Sequence, residues 1–189
     1  MMKLFCLNIF RFLYTTSFIS AVLSFNQRPI NMQEVREPRL FELLAETRDC
    51  NIFSELIMQF PDYVHLFQQK DQHITVLVPN DAAFQQCKVK PWAIEYKNGV
   101  AVKSTDIVHI TEQQAQDNIL KFVERHIITS SPIEWNNEYK TIDGTDVHVI
   151  KKEEEIYINE SIHVLCRKKA SNGEMWVLNA TLSTPSIRE

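Results

Sequence analysis

The chain has 189 residues, 44% hydrophobic and 23% charged, with a formal net charge of −4. That is enough length and apolar content for one domain with a real core, and it excludes intrinsic disorder as the default. The acidic balance excludes a nucleic-acid binder, which needs a basic face to displace counterions from phosphate.

Lys3 supplies a positive start, and an apolar run follows over residues 4–23, interrupted by Asn8 and Arg11. Ser20, Ala21 and Ser24 place small residues near its end, so residues 1–24 read as a secretory signal peptide with the mature chain starting at Phe25. The alternative is an uncleaved membrane anchor, in which Arg11 would be costly. Cleavage removes Lys3 and Arg11 and leaves 18 basic against 24 acidic residues, a net charge of −6. No later apolar stretch approaches a bilayer-spanning length and the C-terminal residues 186–189 are polar, so neither a transmembrane tail nor a lipid-anchor signal is expected.

Residues 25–37 are polar, broken by Pro29, and read as a loose segment. From Pro38 the pattern is helical: Leu40, Leu43 and Leu44 share a face, then Ile52, Phe53, Leu56, Ile57 and Phe60 recur at three and four residues. Pro61 stops that helix and opens a short successor through Val64, Leu66 and Phe67. The unalternated apolar run Ile74 to Val78 predicts a strand buried on both sides. Asn80 is placed to cap a helical turn with Asp81 near its positive end, and Phe84 to return an aromatic to the core.

Residues 87–110 predict a long connection with a small strand pair around Asn98-Gly99. Thr111, with Gln114 three residues on, has the spacing of a capping box, opening a helix whose apolar face holds Ile119, Leu120, Phe122, Val123 and Ile127. After Pro132 the period becomes two: Val147 and Val149, Ile156 and Ile158, Ile162, Val164 and Cys166, Trp176 and Leu178 predict a meander of short strands. All three glycines follow Asn or Asp (Asn98-Gly99, Asp143-Gly144, Asn172-Gly173) and read as turn punctuation, which leaves no glycine-rich phosphate cradle.

Two stretches carry the most information, residues 74–84 (ITVLVPNDAAF) and residues 172–185 (NGEMWVLNATLSTP). Together they resemble the two sequence boxes of the fasciclin domain. The first box is matched by Thr75, Val76, Pro79, Asp81, Ala83 and Phe84, the second by Asn172, Gly173, Leu178, Leu182 and Pro185. Trp176 stands where the family usually has His, and Asn179 where it has Asp; Arg125-His126 stands at its Tyr-His pair, and Thr141 with Gly144 at its strand turn. The resemblance covers residues 38–185. It implies an α+β fold, a helical cluster packed on a β-wedge or sandwich meander, and a non-catalytic module for adhesion or interaction. Integrin contacts proposed for the family involve the two places where Arg125 and Asn179 depart, so integrin-type binding is not expected. The plan is similar to small single-domain fasciclin proteins of fungi, which implies the secretory pathway, with the vacuole lumen ahead of the cell exterior.

The chemistry sought along the chain is sparse. Asn159-Glu-Ser161 and Asn179-Ala-Thr181 are N-glycosylation acceptors; Asn159 falls at a turn, whereas Asn179 is expected to be poorly accessible. No catalytic, cofactor-binding or metal-ligating set stands out, and no cofactor is expected. After loss of Cys6, the three cysteines Cys50, Cys87 and Cys166 allow at most one disulfide, and Cys166 is expected to be a small buried side chain. His126 has two readings: a pH-sensitive contact favoured in its charged form by the helix end, or a core-edge ring satisfied by backbone. Arg167-Lys168-Lys169 reads either as an anion-binding patch or as a solvated hairpin end. The function expected is therefore a protein- or glycan-binding module working in the vacuole lumen or outside the cell, with residues 111–126 as its exposed face. A luminal lipid-binding or membrane-tethering protein is the alternative, with an undetected hydrolase behind it.

Overall fold

The computed structural model describes residues 36–97, 100–102 and 110–182. The expected signal peptide, most of the expected loose segment, the expected turn at Asn98-Gly99, Pro185 and residues 186–189 lie outside the described residues.

Three helices open the domain: α1 (Leu40–Glu46), α2 (Asn51–Met58) and α3 (Pro61–Gln68). Each buries the face that its apolar spacing predicts: Leu40, Leu43 and Leu44, then Phe53, Leu56 and Ile57, then Phe67. Strand β1 (Ile74–Pro79) follows and is buried along its whole length. Asn80 Oδ1 accepts from the Ala83 amide at 2.8 Å and caps α4 (Asp81–Gln86). Asp81 reaches further than its own helix, because its Oδ1 also accepts from the Ile52 amide of α2 at 2.9 Å. A small antiparallel pair, β2 (Glu95–Lys97) and β3 (Val100–Val102), occupies the long connection.

Helix α5 (Glu112–Arg125) starts at the expected capping box: Thr111 Oγ1 accepts from the Gln114 amide at 3.2 Å, and Gln114 Oε1 accepts from the Thr111 amide at 2.9 Å. Then come β4 (Ile127–Ile128), β5 (Asn137–Lys140), β6 (Asp146–Lys152), β7 (Glu155–Ile158), β8 (Ile162–Ala170) and β9 (Gly173–Leu178). They join β1 in a seven-stranded sheet of order β4-β1-β9-β8-β7-β6-β5. A bridge between Ile128 and Thr141 ties the β4 edge to the end of β5.

β1 stands second in this order, antiparallel to β4 and parallel to β9 over six residue pairs, from Ile74 opposite Gly173 to Pro79 opposite Leu178. The two informative sequence boxes are thus neighbouring strands. Because β1 has two covered faces, two cores form. Ile74, Val76 and Val78 pack with the helices, Phe122, Met175 and Val177. Leu77 packs with Val147, Val149, Ile158, Val164, Trp176 and Leu178 inside the bent sheet.

Two sequence expectations need correction. Cys166 is exposed, because a β-bulge between Val164 and Cys166 breaks the alternation of β8 and turns both Leu165 and Cys166 outward. Asn172 is more than turn punctuation. It is fully buried, its Oδ1 accepting from the Leu40 amide at 2.9 Å and its Nδ2 donating to the Phe67 and Gln69 carbonyls at 2.9 and 2.8 Å. One side chain thereby satisfies the open end of α1 and the closing end of α3.

Candidate functional site

The Arg125-His126 pair lies inside the protein. Arg125 Nε donates to Asp143 Oδ2 at 2.9 Å and to Thr145 Oγ1 at 3.3 Å, in an ion pair whose side chains are 6% and 9% exposed. Burial alone would push the Asp143 carboxyl up. Hydrogen bonds from Thr141 and Thr145, with the Arg125 guanidinium, outweigh that and hold it below the usual range.

His126 has no exposed surface and packs on Phe53 and Phe122, with ring centroids at 5.5 and 4.4 Å. Its Nδ1 lies 2.7 Å from the Phe122 carbonyl, and its Nε2 accepts from the Leu182 amide at 3.1 Å. A carbonyl only accepts and an amide only donates, so the ring is neutral with its proton on Nδ1. Burial drives its pKa down to about 3, against the expectation that the helix end favours the charged form. The backbone-satisfied reading holds, and His126 is no surface contact.

The outer face of α5 carries Glu112, Gln113, Gln114, Asp117 and Lys121, all exposed, with Gln113 donating to Asp117 at 2.9 Å. It offers a hydrated polar strip with no large apolar group.

Both glycosylation acceptors are exposed, including Asn179, which sequence reading expected to be poorly accessible. They play the same local part. Asn159 Oδ1 accepts from the His148 amide at 2.8 Å, and Asn179 Oδ1 accepts from the His163 amide at 2.8 Å. In each case the amide oxygen extends a ladder beyond the end of its strand, and the two sites stand together near the start of β8.

Arg167, Lys168 and Lys169 lie within β8, not at a hairpin end, and alternate across the sheet. Lys168 Nζ donates to Thr47 Oγ1 at 2.7 Å on the helical side, and Lys169 pairs with Glu37 at 3.4 Å. Arg167 faces the other way, opposite Trp176 in register. Trp176 is fully buried, and Trp135, 37% exposed, stacks on it with centroids 6.0 Å apart and rings inclined by 30°. The Arg167 guanidinium carbon sits 4.8 Å from the Trp135 ring centre and 5.5 Å from that of Trp176. Trp176 Nε1 donates to Glu174 Oε2 at 2.8 Å. Among the described residues, the Arg167 side chain has no hydrogen-bond or ion-pair partner. This cluster is the candidate site. Sequence reading missed it because the members come from a loop and two strands. Its one signal was Trp176 at the usual position of a histidine.

The family model of the fasciclin domain matches residues 48–185. The chain belongs to the fasciclin domain family. A FAS1 domain-containing protein of Aspergillus fumigatus is 32% identical over 152 residues, covering 78% of this chain and 64% of the relative. Another from Emericella nidulans is 29% identical over 151 residues, covering 78% and 62%. The chain thus spans a little under two thirds of those relatives' length. The fold is similar to the solved structure of a FAS1 domain pair from the insect cell adhesion molecule fasciclin I, with TM-score 0.57, 13% identity, and coverage of 79% of this chain and 52% of that one. The fasciclin family comprises adhesion and interaction modules and is generally non-enzymatic.

Among the described residues no three or more His, Cys, Asp or Glu side chains gather as a metal site. No described helix is long and apolar enough to cross a membrane.

Proposed function

We propose that this fasciclin domain is a non-catalytic interaction module of the secretory pathway, working in the vacuole lumen or outside the cell on a protein or glycan partner. The observation that carries this reading is Trp135. An indole 37% exposed, stacked on a fully buried second indole, is an apolar surface held in place and left open. The polar face of α5 and the internal Arg125-His126 pair offer nothing comparable.

Localisation rests on the sequence: a signal peptide over residues 1–24 and acceptors at Asn159 and Asn179, both exposed. Fractionation of the C-terminally tagged protein, with glycosidase treatment and N-terminal sequencing, tests it. A lumenal species beginning near Phe25 that shifts on deglycosylation is expected. An untrimmed membrane species would favour the tethering alternative, and lipid co-purifying with the trimmed protein would favour lipid binding.

A further inference from the structure

We propose that Trp135, Trp176 and Arg167 form a binding site for an acidic saccharide, a pyranose bearing a carboxylate or phosphate. The inference rests on the interaction-module reading and names the ligand class and the residues.

A tryptophan that merely closes the bent sheet would be covered, as Trp176 is; Trp135 keeps 37% of its surface in water. An arginine that merely supports structure would spend its donors. Glu174, the carboxylate nearest in the ladder, is committed to Trp176 Nε1, and Lys169 is committed to Glu37. The Arg167 guanidinium carbon lies over both indoles, and its N–H donors have no hydrogen-bond or ion-pair partner among the described residues. The cation–π contacts hold the guanidinium in place without neutralising it, so little ordering remains to be done when an anion arrives. A fork of N–H donors matches a carboxylate or phosphate in two parallel bonds.

The plate beside it limits what else the ligand is. Stable protein partners cover roughly 800 Å² per side around an apolar centre. Here the exposed large apolar groups among the described residues are Met58, Val89, Trp135 and Leu165, and only Trp135 belongs to the cluster. One indole face suits a small rigid ligand whose C–H face is about one ring across, which is a pyranose. The Asn179 acceptor does not crowd it: His163, whose amide donates to Asn179, and Arg167 are four residues apart on β8, roughly 10 Å once the bulge between Val164 and Cys166 takes up one residue.

The test titrates the full secreted protein with trigalacturonate, mannose 6-phosphate and uncharged mannotriose, reading tryptophan fluorescence and indole N–H resonances. At least one acidic probe is expected to shift the Trp135 indole and to bind about tenfold more tightly than mannotriose. Which acidic probe binds separates carboxylate from phosphate. Trp135→Ala is expected to abolish that binding, and Arg167→Gln to reduce it to the mannotriose level, both with unchanged circular dichroism. Arg167→Lys, which keeps the charge and loses the planar fork, is expected to fall between.

Equal affinity for charged and uncharged probes overturns the proposal, as does an unaltered titration in Trp135→Ala, or tighter binding of an oligoglutamate peptide. Immobilised protein exposed to extracellular and lumenal glycoprotein separates the two readings. Capture that survives in Trp135→Ala removes this site and leaves an interaction module; absence of capture by the native protein removes both.

Discussion

Gly173 of β9 lies in register with Ile74 of β1, and a Cβ placed on it would stand 2.0 Å from the Ile74 carbonyl oxygen. Its φ of +148° adds a conformation that other residues rarely adopt. The contact is backbone on backbone in the parallel pair that joins both cores, so no side chain can swing away. Gly173→Ala is expected to destabilise the domain by about 3 kcal/mol or more, read by urea unfolding. Gly144 is the control: its Cβ would meet nothing within 4 Å, so the φ of +84° is the only penalty and the loss should stay near 1 kcal/mol.

Asn172, one residue earlier, holds the helices to the strand. Asn172→Ala strands the buried Leu40 amide and Phe67 carbonyl and the half-buried Gln69 carbonyl. The expected loss is about 3 kcal/mol, with amide exchange rising first at the start of α1. Unchanged exchange at Leu40 would contradict the assignment.

How much of this was legible in the sequence follows from the range of each interaction. The capping box at Thr111, the Asn80 cap, the buried run of β1 and the helical faces of α1 to α3 depend on neighbours within four residues, and the structure has them as read. Asn172 looked like a turn residue because its three partners lie more than 100 residues away in sequence. Cys166 was misplaced because a β-bulge resets alternation without any proline or glycine to mark it. His126 was ambiguous because helix-end charge and burial pull its proton in opposite directions, and only the packing of Phe53 and Phe122 decides between them. Trp135 sits in a polar loop, and nothing local tells that Trp176 and Arg167 will meet it.

Arg125 and Asp143 form a buried pair whose partners are also held by Thr141 and Thr145. Arg125→Met leaves a carboxylate without its counter-ion and is expected to cost about 3–5 kcal/mol. Adding Asp143→Ala removes that stranded charge, so the double variant should be more stable than Arg125→Met alone. A double variant weaker than the single would show that the pair contributes through the Thr141–Thr145 turn and not through charge.

The cysteines should separate by exposure. Cys166 is exposed, whereas Cys50 is fully buried and its thiol is pushed up to about 11, chiefly by burial. Iodoacetamide at pH 8 with peptide mapping is expected to label Cys166 in the native protein and Cys50 only after denaturation. Equal native labelling would mean that the end of α1 and the start of α2 open readily.

His126 sets how the domain responds to acid. Its ring is neutral in the folded state with a pKa near 3, whereas an unfolded histidine takes up a proton below about 6.5. Between those values the unfolded chain holds the extra proton, so stability rises with pH and falls as the medium is acidified. The loss is about 1.4 kcal/mol per pH unit below 6.5, or about 2 kcal/mol at pH 5. Asp143 acts lower down: its depressed pKa contributes stability that disappears only as pH falls below the ordinary carboxylate range. His126→Gln keeps a donor for the Phe122 carbonyl and an acceptor for the Leu182 amide without the titration. Urea unfolding of both proteins at pH 7, 6 and 5 should show the native chain weakening and the variant weakening less, by the slope of one proton. Parallel losses in the two proteins would place the acid sensitivity elsewhere, and a ring that titrates near 6.5 in the folded state by nitrogen NMR would contradict its burial.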